Sequence, residues 1–304
     1  MEISRYRLDD CEVLAVRNIL SRLALGALEA DKPFPTTPHM SVANYGATRN
    51  YALNLASCDA ADVAVFRQLG SKLAPTVLIA RPLLVLENLP VDQCPVGLLF
   101  LLGQMYGTVT EYYQHGAPVD LVADRGRVDG GRPRSTNSLG FPRHTDLSFD
   151  KSMPGLIYFL IVNQASTGGD STFCDVQTVV DRLCQESLDA LQTPFRFPAP
   201  PHRPEDRPLD APILQFGSHR KPLLRYRADG LTTLGTPAQQ AAQATALEEL
   251  EGLMTAHTVE TKLEAGQLAI WRNREILHGR REFQDVSDGS GKRTALRAYV
   301  TSVA

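Results

Sequence analysis

A histidine and an aspartate two residues apart, His144 and Asp146, are the first residues of this sequence whose types suggest chemistry. They lie in the segment FPRHTDLSFD, and side chains at this spacing on an extended chain point to the same side. An imidazole and a carboxylate arranged in this way can bind one metal ion together. The pair alone is weak evidence, because a chain of this composition contains about one such pair by chance.

Three further features lie downstream of this pair. His278 follows an apolar segment in NREILHGRREF. Arg293 and Arg297 lie on one face of a final segment whose alternation predicts a strand. A glycine pair at 168–169 precedes Thr172, whose hydroxyl can donate a hydrogen bond to a carboxylate. Each feature has a plainer alternative, since His278 can be a structural histidine and the arginines can be solvated side chains of an edge strand.

Taken in chain order, the segments HTD, GGDST, NREILHG and RTALR resemble the motifs of the iron(II)/2-oxoglutarate-dependent oxygenases of the taurine dioxygenase and clavaminate synthase group. The resemblance covers roughly residues 80–304, where the core strands are expected. It implies a double-stranded β-helix, or jelly roll. It also implies a reaction with O₂ in which 2-oxoglutarate is decarboxylated to succinate and CO₂ while an unactivated C–H bond is oxidised.

The same resemblance implies a role for each conspicuous side chain. Three residues would bind Fe(II): His144, Asp146 and His278. Arg293 and Thr172 would bind the far carboxylate of 2-oxoglutarate, because a guanidinium group suits bidentate pairing. Arg297 would face the substrate and meet an acidic group on it. Halogenases of this superfamily lack the carboxylate ligand, so the presence of Asp146 disfavours halogenation.

The segment before the HTD motif, residues 124–143, is predicted to be a lid that orders over an anionic substrate. It contains five arginines against two aspartates, and its glycines favour mobility. A solvated surface loop is an equal alternative. Asn137 and Ser138, near the predicted ligand strand, are candidate substrate contacts. The pair Arg272-Asn273 departs from the Asp-Asn pair of many relatives, and we interpret Arg272 as a solvated strand residue.

Composition limits the remaining classes of function. The 304 residues include 31 basic and 34 acidic side chains, a net charge of -3, so general nucleic-acid binding is not expected. The N-terminus has no apolar signal core, and the longest apolar run, at 95–105, is too short to span a membrane. The five cysteines form no CxxC pair, which favours reduced thiols. We expect a soluble, cytoplasmic protein with a small-molecule substrate and neither a nucleic-acid nor a membrane partner.

Residue patterns predict a mainly β core with flanking α-helices. Without a linker in the sequence, residues 1–304 are expected to form one domain, with a mainly helical part over 1–75 and the jelly-roll core over about 76–304. Helices are predicted over 9–25, 59–73, 95–107, about 175–191 and about 237–256, the last two as insertions in the core. Residues 76–86 read as a strand.

These observations predict an enzyme that hydroxylates a C–H bond of an amino acid or an amino-acid-derived natural product, including a small or cyclic peptide. The same cofactor chemistry can end in desaturation, epoxidation or ring closure, because the pose of the substrate decides the outcome. Two hypotheses of other classes stay open. One is a hydrolase that uses zinc-bound hydroxide at the same three ligands. The other is a non-catalytic binding protein on a jelly-roll scaffold.

Overall fold

Two β-sheets form the centre of the structure, a computed structural model that describes residues 1–32, 34, 39–45, 48–111, 117–125, 137–199, 207–285 and 292–302. The strands in these residues, in chain order, are β1 (Ser4–Arg7), β2 (Met40–Tyr45), β3 (Thr48–Leu53), β4 (Leu83–Glu87), β5 (Gly107–Glu111), β6 (Val119–Ala123), β7 (Phe141–His144), β8 (Leu156–Asn163), β9 (Thr167–Gly168), β10 (Ser171–Asp175), β11 (Pro194–Phe197), β12 (Leu209–Pro212), β13 (Leu214–Phe216), β14 (Pro222–Leu224), β15 (Val259–Thr261), β16 (Leu268–Arg272), β17 (Ile276–Arg280), β18 (Phe283–Gln284) and β19 (Thr294–Ser302). The mainly β class with flanking helices is confirmed.

The larger sheet has the strand order β1-β4-β16-β8-β19-β5-β3-β2, and β6 also pairs with β19. The smaller sheet has the order β15-β10-β17-β7. Every strand pairing in these two sheets is antiparallel except that of β1 with β4. The last strand, β19, lies between β8 on one side and β5 and β6 on the other, so the two C-terminal arginines belong to the centre of the larger sheet.

Helices cover the outer faces of the two sheets. The described α-helices are α1 (Asp10–Arg22), α2 (Ala60–Ala74), α3 (Pro95–Gly103), α4 (Val176–Val180), α5 (Gln185–Leu191) and α6 (Pro237–Ala256). Capping residues mark where helices begin. Asp59 caps α2, and Thr236 forms a capping box with Gln239 at the start of α6, where Pro237 is the first residue. None of the helices that the structure describes is long and apolar enough to cross a membrane.

Three apolar clusters hold these layers together. One packs α1, α2 and α3 against the larger sheet, and another fills the space between the two sheets. The third packs α4, α5 and α6 with β11 to β14 behind the smaller sheet. Both faces of β19 are buried: Leu296 contributes to the helix-facing cluster and Ala295 to the cluster between the sheets. Arg293 and Arg297, on the Ala295 face, therefore point into the space between the sheets.

Three predicted elements differ from the structure. The first 75 residues contain β1, β2 and β3 in addition to helices, because these strands extend the larger sheet at both of its edges. Residues 75–80 form a π-helical turn that continues α2, and the strand begins only at Leu83. The predicted helix over 175–191 is two short helices, α4 and α5, separated by a turn.

Candidate active site

The two histidines of the candidate metal site lie on neighbouring strands of the smaller sheet. His144 ends β7, and its Cα partner on β17 is His278. Their rings are 4.3 Å apart between centroids. A Cβ atom on Gly279 would lie 2.5 Å from the carbonyl oxygen of Phe141, so glycine at this position permits the close approach of the two strands.

Asp146 completes the cluster from the turn that follows β7. One of its carboxylate oxygens lies 3.5 Å from Nε2 of His144, and the other lies 3.5 Å from Nε2 of His278. The three ligand atoms lie within 4.8 Å of one another. The oxygen facing His278, Oδ2, is buried and accepts no hydrogen bond in the part of the chain that the structure describes. Two imidazoles and a carboxylate with a free oxygen fit a non-haem Fe(II) ion.

Asn273 holds the backbone of Asp146 from both sides. Its side-chain oxygen accepts a hydrogen bond from the Asp146 N–H at 2.8 Å, and its Nδ2 donates to the Asp146 carbonyl at 2.9 Å. Asn273 is fully buried. Sequence reasoning considered its neighbour Arg272 and missed Asn273, although the asparagine is the half of the family's Asp-Asn pair that this chain retains.

Arg272 is not the solvated residue predicted from the sequence. It is buried, because β16 lies inside the larger sheet. Its Nε lies 2.8 Å from a carboxylate oxygen of Glu275, and its Nη1 donates to the carbonyl of Ile79. Its position is thus explained by contacts outside the cavity.

Arg297 lies between two carboxylates. Its Nη1 donates to Oδ1 of Asp146 at 3.0 Å, and its Nη2 donates to Oδ2 of Asp120 at 3.1 Å. Arg297 and Asp120 are Cα partners on β19 and β6. Arg297 lines the cavity, as expected for a residue that faces the substrate, but its charge is already shared by two anions. Asp120 was missed, because a single aspartate in VDLVA gives no signal by itself.

Burial and neighbouring charges set the ionisation of these groups. Burial alone would raise the pKa of Asp146, but Arg297 and the two histidines outweigh it and hold that pKa well below its usual value. Burial, with His144 nearby, lowers the pKa of His278 to about 3, so its imidazole is neutral and available as a ligand at pH 7. Burial raises the pKa of Asp120 to about 6 against the opposing effect of Arg297.

A cavity between the two sheets extends from the three candidate ligands. Its lining is mainly aromatic and basic: Val122, Phe141, His144, Phe159, Ser171, Phe173, Trp271, His278, Gly279, Arg280, Arg293 and Arg297. Arg293 immediately precedes β19 and is 1% exposed. Its Nε and Nη1 have no hydrogen-bond partner among the described residues. Burial, with Arg280 nearby, lowers the pKa of Arg293 to about 10, which leaves it a cation at pH 7.

The hydroxyl on the cavity face of β10 belongs to Ser171, one residue before the predicted Thr172. On β10, Phe173 is the Cα partner of His278 and Ser171 that of Arg280, and all four line the cavity. Thr172 therefore points to the opposite face, where its Oγ1 would lie 2.9 Å from a Cβ on Gly279. Alternation along the strand gives the cavity-facing position to Ser171, and the contact of Thr172 with 2-oxoglutarate stays a prediction.

The glycine pair before β10 has a direct role in this geometry. Gly168 and Gly169 have φ values of +69° and +77°, a conformation that side chains with a Cβ rarely adopt. A Cβ on Gly169 would also lie 3.1 Å from Nε of Arg293. The turn therefore leaves room for the guanidinium group beside the strand that carries Ser171.

Asn137 and Ser138 do not line the cavity. The backbone carbonyl of Asn137 accepts a hydrogen bond from Arg280, and that of Ser138 accepts one from the N–H of Phe283. These contacts anchor the end of the predicted lid to β17 and β18. Residues 126–136 of that segment lie outside the described part of the chain.

Comparisons with known proteins agree with this geometry. A family model described as taurine catabolism dioxygenase TauD, TfdA family, matches residues 62–299. An L-asparagine oxygenase from Streptomyces coelicolor is 34% identical over 156 residues, which are 49% of this chain and 44% of the relative. The match thus spans less than half the length of that relative.

Solved structures show the same fold at low sequence identity. Asparagine oxygenase in complex with Fe(II), 2S,3S-3-hydroxyasparagine and succinate has a TM-score of 0.75 and 22% identity, covering 98% of this chain and 93% of the other. The non-heme iron oxygenase OrfP in complex with Fe and alpha-ketoglutaric acid has a TM-score of 0.71 and 18% identity, covering 99% and 95%. The chain belongs to the TauD/TfdA family of dioxygenases, whose Fe(II) and 2-oxoglutarate fit the ligand cluster and the basic cavity beside it.

Proposed function

We propose that this protein is an Fe(II)/2-oxoglutarate-dependent dioxygenase that hydroxylates a C–H bond of an amino acid or an amino-acid-derived small molecule. One observation carries the proposal: a buried 2-His-1-carboxylate cluster opens onto a cavity that contains Arg293, a buried cation whose Nε and Nη1 have no partner among the described residues. The family supports the proposal, as do the structural neighbours in complex with hydroxyasparagine or alpha-ketoglutaric acid.

In this proposal His144, Asp146 and His278 hold the iron. Asn273 fixes the backbone of Asp146, and Arg297 fixes its Oδ1. Oδ2 is thereby left for the metal. Groups that orient a ligand in this way are important for metal affinity. When bound, iron and 2-oxoglutarate supply the oxidation of a C–H bond by O₂ with release of succinate and CO₂.

The far end of the cavity binds 2-oxoglutarate in the proposal. Arg293 donates to its far carboxylate in bidentate geometry, and the Ser171 hydroxyl donates to the same group. The aromatic lining excludes water between this carboxylate and the iron ligands. In a site of low dielectric, exclusion of water strengthens the ion pair between the carboxylate and Arg293.

We propose that Arg297 acts mainly on the metal side. An acidic group of the substrate would be the third anion around one guanidinium group, after Asp146 and Asp120. The substrate therefore gains less from Arg297 than a free arginine would give. Support for an amino-acid substrate comes from the structural neighbour that holds 2S,3S-3-hydroxyasparagine and not from a dedicated free cation at Arg297.

We further propose that the two stacked sheets form the double-stranded β-helix that the sequence resemblance implies. Its support is the antiparallel pairing of β10, β17 and β7 opposite β16, β8 and β19, with the cavity between the sheets.

The test of the proposed function is anaerobic. Metal-free protein is mixed with Fe(II) and 2-oxoglutarate, and the visible spectrum is recorded. We expect a weak charge-transfer band that is absent in His278→Ala and weakened in Arg293→Ala. Bound iron without a band would contradict the proposal and favour the zinc hydrolase. Exposure to O₂ with a panel of amino acids, followed by mass spectrometry, would then identify the hydroxylated product.

A further inference from the structure

A second buried arginine, Arg280, lies at the far end of the cavity. It follows His278 by two residues on β17, so both side chains point to the same face of the smaller sheet. Arg280 is 8% exposed and lines the cavity together with Arg293. Nothing in the sequence pattern distinguishes it from the exposed Arg281 beside it.

The strand register places Arg280 beside the other groups at this end. Its Cα partner on β10 is Ser171, so the two side chains are neighbours on the cavity face. Arg293 approaches from the larger sheet. Both guanidinium groups lie over the ring of Phe283, at 4.6 Å for Arg280 and 5.4 Å for Arg293 from its centroid. Two cations therefore converge on one small volume.

The carboxylates of Asp124 and Asp285 lie near Arg280, but burial outweighs their effect and lowers the pKa of its guanidinium group to about 10. Arg280 donates through Nη2 to two backbone carbonyls, those of Asn137 and Leu139, and its buried Nε has no partner in the described chain. Asp285 lies nearby, but one oxygen of its carboxylate accepts a hydrogen bond from the backbone N–H of Arg293. Buried cations are costly without an anion. The site is therefore suited to an anionic ligand that meets both guanidinium groups.

We propose that Arg280 is a second cationic contact for the far carboxylate of 2-oxoglutarate, opposite Arg293. The proposal rests on the proposed function, because it names the group that shares the co-substrate with Arg293 and Ser171. A guanidinium group that already donates to the carbonyls of residues 137 and 139 has its orientation fixed before the ligand arrives. The conformational entropy that the Arg280 side chain loses on ligand binding is therefore small.

The experiment compares two ligands that differ only in the far carboxylate. Anaerobic Fe(II)-loaded protein is titrated with 2-oxoglutarate and with 2-oxovalerate, which has the same chain length and lacks that carboxylate. Binding is followed by the charge-transfer band and by the fluorescence of Trp271, the only tryptophan, whose ring lies 4.7 Å from that of His278. The variants are Arg280→Gln and Arg280→Lys. Arg281→Gln is the matched control, since Arg281 is exposed and paired with Glu260.

We expect Arg280→Gln to raise the Kd for 2-oxoglutarate about 10-fold, the effect of losing one charge-assisted contact. The Kd for 2-oxovalerate should change less than about twofold on the same scale, and Arg281→Gln should change neither. Arg280→Lys, which keeps the charge, should recover part of the affinity for 2-oxoglutarate. Because the wild-type protein supplies the band, its absence there would contradict the proposed function and not the role of Arg280.

An equal loss for both ligands would overturn the inference, since it would show that Arg280 only supports the fold or the loop at 137–139. Unchanged affinity for 2-oxoglutarate would overturn it as well. If Arg280→Gln does not fold, Arg280→Lys decides the question. Replacing the guanidinium group by an ammonium group should change the affinity for 2-oxoglutarate relative to that for 2-oxovalerate only if Arg280 contacts the far carboxylate. A change in the ratio of the two Kd values supports the contact, and an unchanged ratio refutes it.

Discussion

The two ends of the cavity differ in how their charges are compensated. At the metal end, the Asp146 carboxylate accepts a hydrogen bond from Arg297, Asn273 holds the Asp146 backbone, and Arg297 also donates to Asp120. At the far end, Arg293 and Arg280 are buried with N–H groups that lack partners among the described residues. The charged groups of the first end pair with one another, whereas Arg293 and Arg280 at the second end keep N–H groups available for an anion in the described chain, even with Asp285 nearby.

This difference distinguishes residues whose charges are paired within the fold from residues whose N–H groups are available to a ligand. Polar groups satisfied within the fold keep their geometry in the free protein, so the metal end is preorganised for the iron. Cations without partners destabilise the free protein and gain most from the ligand. We therefore expect the far end to lower the free energy of unfolding of the free protein, and bound 2-oxoglutarate to offset that loss.

The largest effect that we expect is on the free energy of unfolding, which two arginine variants should change in opposite directions. In metal-free protein, Arg297→Met should lower the free energy of unfolding by about 3–5 kcal/mol, because it leaves Asp120 and Asp146 buried without their cation. Arg293→Met should raise the same quantity by about 1–3 kcal/mol, because it replaces an uncompensated buried charge by an apolar side chain. Urea denaturation monitored by circular dichroism measures both.

Addition of 2-oxoglutarate with Fe(II) supplies the control for this pair. It should stabilise the wild-type protein by about 2.7 kcal/mol at a ligand concentration of 100 times Kd, and should stabilise Arg293→Met much less. Two variants that both destabilise the free protein would show that the two ends of the cavity do not differ in charge compensation.

A second expected effect concerns iron affinity at the metal end. Asn273→Ala removes both hydrogen bonds that hold the backbone of Asp146, so we expect the affinity for Fe(II) to fall about 10–100-fold. Anaerobic titration with Fe(II), followed by Trp271 fluorescence, measures the change. The affinity for 2-oxovalerate on the iron-saturated variant should be nearly unaltered. If iron binds equally well to Asn273→Ala, the preorganisation of Asp146 is not what holds the metal.

A smaller effect is expected for Asp120. Asp120→Asn keeps the shape of the side chain but removes one of the two anions around Arg297, which then acts more strongly on Asp146. We expect Fe(II) to bind about 3–10-fold more weakly, the size of a coupling between residues that share a partner. In a double-mutant cycle with Arg297→Met, the Asp120→Asn effect should disappear. Additive effects would show that Asp120 acts independently of Arg297.

The sequence named more of the residues that the structure brings together at the metal end than at the far end. The HTD motif and the later histidine indicate His144, Asp146 and His278 in the sequence, and the structure brings these three side chains together. Asn273 and Asp120 are different, because they act through hydrogen bonds between elements that are distant in the chain. No local pattern encodes such contacts.

Prediction of the fold succeeded where local signals are strong. The helix at 237–256 begins with a capping box and a proline, and the structure gives the same bounds. The strand predicted over residues 76–86 is present only from Leu83, because the β-branched and leucine side chains before it suit a π-helical turn as well as a strand. The strands at 40–53 were missed. β2 pairs with the adjacent β3, and this pair joins the larger sheet only through β5, which is supplied by another part of the chain.

The smallest effect that we expect is a change in the Kd for 2-oxoglutarate, and its measurement tests the register of β10. The GGDST segment offers two adjacent hydroxyls, and only alternation along the strand decides which of them faces the cavity. Ser171 shares a face with Phe173 and lines the cavity, whereas Thr172 points to the other side of the sheet. Ser171→Ala should therefore raise the Kd for 2-oxoglutarate about fivefold through loss of one hydrogen bond to a charged group.

Thr172→Val is the matched control on the same strand. It removes a hydroxyl next to Ser171 while keeping β-branching, so the Kd for 2-oxoglutarate should stay within about twofold of the wild-type value. Both constants come from the charge-transfer band of the anaerobic Fe(II) complex. The opposite pattern, with a loss in Thr172→Val and none in Ser171→Ala, would mean that β10 pairs with β17 in a register shifted by one residue. Such a shift would also move Phe173 away from His278, so the fluorescence response of the adjacent Trp271 to iron would change with it.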